Sequence, residues 1–165
     1  MAESISVKVK RDGTLSLAGS TGGPYVVAYE LGDVKFNGNP KDSQVPIMDR
    51  GNFAGLRKGD QQLITGSFTV HFRQFASSSA AVQNLIAIID GDTTAGADGW
   101  TVADAAYEQW NLDITFSIAA VNTDDAATTA TFSTCVLEWE FSEGDPDSCS
   151  VSFNCYGGVV FTGPS

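Results

Sequence analysis

After Arg73 the sequence contains no lysine and no arginine. The chain's nine cations (Lys8, Lys10, Arg11, Lys35, Lys41, Arg50, Arg57, Lys58 and Arg73) share residues 1–73 with seven acids, a balance of +2. Residues 74–165 hold the other thirteen acids, a balance of −13, and the chain as a whole stands at −11. A surface of that sign repels phosphate, which disfavours a protein that wraps DNA. Solubilising charge is the bland account of an acidic chain. A split between halves, however, is a signal about partners.

Cysteine and histidine are scarce. Cys135, Cys149 and Cys155 have no metal-ligand spacing, and the single His71 is far from them in sequence. An odd count with no secretion signal points to reduced, buried thiols. The stretch Met1–Lys8 has no apolar h-region, and no run is long and apolar enough to span a membrane. The expectation is a soluble protein made in a host cytoplasm, with no membrane partner. Catalytic signatures are missing as well: there is no G-x-S-x-G, no P-loop and no H-E-x-x-H. Gly19-Ser20-Thr21-Gly22-Gly23 lacks the lysine and following helix of a phosphate cradle and reads as a turn. His71 has no nucleophile motif nearby and reads as a surface or interface residue. No enzyme, cofactor or resident metal is expected.

What is present is a chain of 165 residues, 42% hydrophobic, with seventeen glycines. The length fits one domain, 1–165, with a core of its own. Residues 4–9 and 14–18 read as short strands around Asp12-Gly13. An apolar run follows from Pro24 to Phe36. Residues 37–62, with two prolines and four glycines, read as a long irregular loop carrying Lys41, Arg50, Arg57 and Lys58. From Leu63 to Phe75 the period is two, with Phe68, Val70 and Phe72 on one face. The period then changes. Ser79 can cap a helix over about residues 79–90, in which Val82, Leu85, Ile86 and Ile89 form one stripe, and Asp90-Gly91 ends it. Residues 92–109 read as a polar loop, with a short helical turn near 102–107.

Three alternating runs follow, at 110–118, 133–141 and 149–155. Aligning their apolar residues gives the rows Trp110–Phe141–Cys149, Leu112–Trp139–Val151, Ile114–Leu137–Phe153 and Phe116–Cys135–Cys155. A slip of one residue would expose them all. This register sets Cys135 opposite Cys155. It also gathers Asp113, Glu138 and Glu140 on the other face. Like charges that close destabilise a sheet, so that face must meet water or a cation. Calcium would need several oxygen ligands, and a solvated face is preferred. Glu138 and Glu140 as a hydrolytic carboxylate pair rank lower for the same reason.

The order of features resembles the major tail tube proteins of long-tailed phages, of the siphophage or myophage type. The residues that carry the resemblance are Asp12-Gly13-Thr14-Leu15-Ser16-Leu17, Tyr25-Val26-Val27-Ala28-Tyr29-Glu30-Leu31-Gly32-Asp33, Met48-Asp49-Arg50-Gly51, Arg57-Lys58-Gly59-Asp60-Gln61-Gln62 and Gly66-Ser67-Phe68-Thr69-Val70. The resemblance covers roughly the first 90 residues as pattern and the rest by strand order. It implies a mainly β fold, a β-sandwich or partial barrel with one flanking helix. It implies rings of six copies, stacked into a virion tail tube that encloses a tape measure protein and conducts DNA without binding it specifically. Tail terminator, baseplate or distal tail proteins would be further partners, with a sheath protein if the tail contracts. Lys41, Arg50, Arg57 and Lys58 would then sit on a loop that meets the next ring. Asp113, Glu138 and Glu140 would face the lumen, where a wall without cations lets DNA slide. The alternative is a monomeric β-sandwich that binds carbohydrate or a cell surface through Trp100, Tyr107 or Tyr156.

Overall fold

A computed structural model describes residues 13–27, 31–38, 40–71, 81–91, 109–120 and 127–163. The elements are β1 (Gly13–Ala18), β2 (Tyr25–Val26), β3 (Lys35–Phe36), β4 (Gln44–Asp49), β5 (Asn52–Lys58), β6 (Ile64–His71), α1 (Ala81–Asp90), β7 (Leu112–Ile118), β8 (Thr128–Ser142), β9 (Ser148–Cys155) and β10 (Val159–Thr162). The expected strand at 4–9, the Ser79 cap, the end of the run at 72–75 and the turn at 102–107 lie outside the described residues. The fold is mainly β and antiparallel, with α1 as the helix among the described residues.

Eight strands form one sheet: seven follow the order β2-β1-β7-β8-β9-β6-β3, and β10 pairs with β8 off that path. The fifteen-residue β8 is its spine. One edge of β8 pairs first with β10 and then with β9; the other pairs with β7. The alternation seen in sequence sets the faces. Leu15, Leu17, Phe68, Val70, Leu112, Ile114, Val151 and Phe153 are buried on one side, with Leu85 and Ile88 of α1 in the same cluster. Each such side chain contributes roughly 1.5–3 kcal/mol when fully buried.

The sheet curls over this core. Phe36 on the edge strand β3 lies 4.9 Å from Phe132 of β8 and 6.2 Å from Phe161 of β10, although β9 and β6 intervene in the hydrogen-bonded order. Gly66 permits the close packing on β6: any Cβ there would collide with the Phe153 ring and the Lys35 carbonyl.

Helix α1 ends where sequence placed its end. Gly91 takes φ 71°, the left-handed conformation favoured after a helix. Two indoles then hold the last turn. Trp110 Nε1–H donates to Ile88 O at 2.7 Å, and Trp139 Nε1–H donates to Asp90 Oδ1 at 2.8 Å. An acid in the last turn opposes the helix dipole, and the Trp139 donor offsets that.

Two expectations need correction. The β8–β9 rows stand, with Cys135 opposite Cys155, Leu137 opposite Phe153, Trp139 opposite Val151 and Phe141 opposite Cys149. The β7 column does not. Leu112 faces Cys135, Ile114 faces Phe132 and Phe116 faces Ala130. The reason is that β8 begins at Thr128 rather than Ser133, so β7 pairs with its earlier half. A bulge then places Ser133 and Thr134 opposite Asp113 alone, which breaks the alternation assumed across that stretch. With no β7 beside them, Trp139 and Phe141 remain 39% and 46% exposed.

The second correction is residues 37–62. They hold a hairpin, β4–β5, closed by Arg50 at φ 48° and Gly51 at φ 86°. Two positive φ values are the pattern of the turn that suits strand twist. Arg at the first position is not a usual signal for it, so sequence reads a loop.

Candidate functional site

The β4–β5 hairpin is an arm outside the core. None of its residues belongs to the core cluster, and it forms a sheet of its own. Val45 faces Arg57, Ile47 faces Gly55 and Met48 faces Phe53, with a bulge between Ile47 and Met48. By this register Val45 and Ile47 stand on one face of the arm and Met48, Phe53 and Leu56 on the other, all exposed, with Phe53 at 66%. Arg57 shares the face of Val45 and Ile47, and Arg50 stands at the tip. At the root, Ser43 and Gly59 continue the pairing, and Lys58 forms an ion pair with Asp42. That carboxylate raises the Lys58 pKa through a hydrogen bond and its charge. Lys41 is exposed just before the arm. The four cations thus share one appendage, with Lys58 engaged at its base. Sequence reasoning found these cations but missed the exposed apolar residues. The apolar run from Val45 to Met48 was the available signal.

A second surface is the outer face of β8, β9 and β6. Glu138 faces Ser152, which faces Ser67; Glu140 faces Ser150, which faces Thr69. Glu138 and Glu140 are exposed over an open groove of about 410 Å³ lined by Ser67, Ser150 and Ser152. Lys35, opposite Ser67, is the one cation on the strands of this sheet among the described residues. Asp113 does not join the two glutamates. It lies opposite the bulge, and its Oδ1 accepts the Thr134 N–H at 2.9 Å. The expected three-acid cluster is therefore a pair plus a structural carboxylate. Among the described residues no group of three His, Cys, Asp or Glu could hold a metal ion.

A third feature is a strand edge. The β7 ladder ends at Cys135. From Val136 to Glu140 the side of β8 away from β9 has no strand beside it among the described residues. Such an edge is a template for another chain. Of the aromatics named for the alternative reading, one falls among the described residues. Tyr156 is exposed, whereas Trp100 and Tyr107 lie outside the described residues.

No family model and no curated protein sequence matches the chain. Solved structures do. A chain of the sheath–tube complex of an extracellular contractile injection system, in its extended state, has a TM-score of 0.54 at 12% identity, over 92% of this chain and 88% of that one. A chain of the anti-feeding prophage baseplate has a TM-score of 0.52 at 8% identity, over 99% and 97% of the two chains. A chain of the sheath/tube terminator of the contractile injection system has a TM-score of 0.50 at 11% identity, over 91% and 92%. The fold is tail-tube-like. The likeness spans nearly the whole of this chain and most of each of those chains. At such identities the likeness concerns fold alone.

Proposed function

We propose that the chain is a non-enzymatic structural subunit of a virion tail tube. Six copies close a ring through their sheets, and rings stack into a hollow tube. The observation that carries this reading is the arm. A two-stranded hairpin is marginal in water by itself, and this one shows exposed apolar side chains and cations with no covering element among the described residues. A second copy supplies what it lacks: apolar cover and the acids of residues 74–165. Contacts between unlike surfaces build open stacks. The tail-tube-like fold supports the reading, because the structures it resembles are chains of tube-bearing particles.

In this reading Arg50 and Arg57 meet the next ring, with Lys41 and Lys58 at the root of the arm. The open edge of β8 takes a strand from its neighbour within the ring. Glu138 and Glu140 line the lumen, with Asp113 bracing the wall from behind. The tube encloses a tape measure protein and later passes DNA. Terminator and baseplate or distal tail proteins close its ends, and a sheath surrounds it if the tail contracts.

Electron microscopy of the purified chain tests this. Rings or tubes are expected. A monodisperse monomer at high concentration, even with a tail initiator present, would refute it. Arg50→Glu with Arg57→Glu should abolish stacking and leave the monomer folded; unchanged stacking would remove the arm from the ring contact.

A further inference from the structure

Three buried cysteines carry free thiols, and two of them form a pair. Cys135 and Cys155 face each other across the β8–β9 ladder. The bond from Tyr156 N–H to Thr134 O flanks them. That bond makes them a non-hydrogen-bonded pair, the kind in which opposite side chains come closest, with Cα atoms about 4.5 Å apart. Such a spacing lies within the range a disulfide spans, about 4.4–6.8 Å. Cys149 is different. It faces Phe141 and has no thiol opposite, and burial raises its pKa.

The surroundings of Cys155 are also particular. Its Sγ lies 3.2 Å from Ser133 O and 3.2 Å from Gly158 O, beneath the turn that joins β9 to β10. Backbone bonds from Tyr156 N–H to Thr134 O and from Gly157 N–H to Ser133 O hold the turn. Tyr156 is exposed, and Gly158 takes φ 95° with nothing near its Cβ position. Cys155 thus stands at the end of the β8–β9 ladder, next to an exposed residue. The hydrogen bond from Cys135 pulls the Cys155 thiol down to about 7, against its burial, and Cys135 is raised by the same bond and by its own burial. The thiolate is the nucleophile in exchange, and of the two thiols Cys155 is the one beside the exposed Tyr156.

We propose that Cys135 and Cys155 are an oxidisable dithiol that closes to a disulfide across β8 and β9 when the protein meets a disulfide oxidant. The Cys155 thiolate attacks one sulfur of a small-molecule disulfide. An S–S bond forms to Cys155 and one thiolate leaves. Cys135 then gives its proton to solvent or to that leaving thiolate, attacks Cys155 Sγ, and releases the second thiolate. Two protein thiols are oxidised and one disulfide is reduced to two thiols. The new bond ties the bulge at Thr134 to the β9–β10 turn. It leaves Cys149 as the single free thiol. The pair is a modification site within one subunit and does not depend on the proposed assembly.

The test uses the full wild-type chain in its folded state, equilibrated with oxidised dithiothreitol or oxidised glutathione, then denatured, alkylated and mapped by mass spectrometry. The expected product is an intrachain Cys135–Cys155 link, with alkylation at Cys149 alone. Its rate should rise with pH through about 7. The linked form should melt about 6–12 °C higher, and the gain should vanish on reduction. Cys149→Ser should give the same link. Cys135→Ser should stop at a mixed disulfide on Cys155. Three alkylated thiols after equilibration, or adducts mainly on Cys149, or links between chains, would each overturn the proposal. Because the primary readout is on the wild-type chain, a misfolded variant does not decide it.

Discussion

Asp113 and Thr134 are bound to each other across β7 and β8. The Thr134 N–H donates to Asp113 Oδ1 at 2.9 Å, at the point where β8 carries a surplus residue. Thr134 is buried and takes φ 56°, which is rare for a β-branched residue. The carboxylate supplies the acceptor that the ladder no longer offers.

Asp113→Ala should therefore destabilise the fold by about 1–3 kcal/mol, the usual penalty for an orphaned buried donor. Asp113→Asn keeps an oxygen acceptor and should lose less. Urea midpoints with unchanged slopes would measure both. Equal losses would mean that the charge, not the acceptor, matters at this site.

Gly91 makes a second test of backbone geometry. A Cβ there would stand 2.9 Å from the Trp110 ring, and φ is 71°. Gly91→Ala should cost more than about 1 kcal/mol. Gly51→Ala is the control. It shares the positive φ, at 86°, but has nothing near its Cβ position and sits in the arm. Its effect on the melting of the core should be negligible by comparison.

The exposed apolar residues of the arm should be silent in the monomer and decisive in the polymer. Phe53→Ser or Ile47→Ser should shift monomer stability by no more than about 0.5 kcal/mol, as expected for exposed sites. Polymer yield by sedimentation should collapse. The charged part of the contact predicts a salt response. Going from about 0.1 to 1 M ionic strength shortens the screening length from about 10 to 3 Å, which should weaken wild-type stacking. A stack indifferent to salt would leave the cations of the arm without a role.

The acidic pair makes a separate prediction. In particles assembled from Glu138→Lys with Glu140→Lys, tubes should form normally and DNA ejection should slow. Each lysine adds a phosphate contact that salt weakens, so raising salt should restore the rate. Ejection at the wild-type rate would place these residues away from the DNA path.

Much of this fold was legible in the sequence, and the failures have identifiable causes. The strands Ile64–His71, Leu112–Ile118 and Ser148–Cys155 and the β8–β9 register followed from alternation, because one buried face fixes register. The end of α1 followed from Asp90-Gly91. The β7–β8 register and the strand β10 did not follow. The run of β8 was begun at Ser133 instead of Thr128, and nothing in Ser133-Thr134 announces a bulge, since the left-handed residue is Thr rather than Gly. That error placed Asp113 beside Glu138. The four cations were correctly located on one segment, but Arg50 at a positive φ concealed the hairpin that carries them. Exposed apolar residues such as Phe53 have no periodic signature of their own; only the fold shows that they are uncovered.

The bulge at Ser133 and Thr134 has a geometric meaning beyond register. Before it, Ala130 and Phe132 point inward; after it, Cys135 and Leu137 do. Deleting one of the two bulged residues would leave a plain alternation, with every one of these side chains still on its own side. What would vanish is the bend that a bulge imposes on its strand. The inside-outside pattern of β8 and its local bend are thus separable properties, the second owed to a single residue that the first does not need.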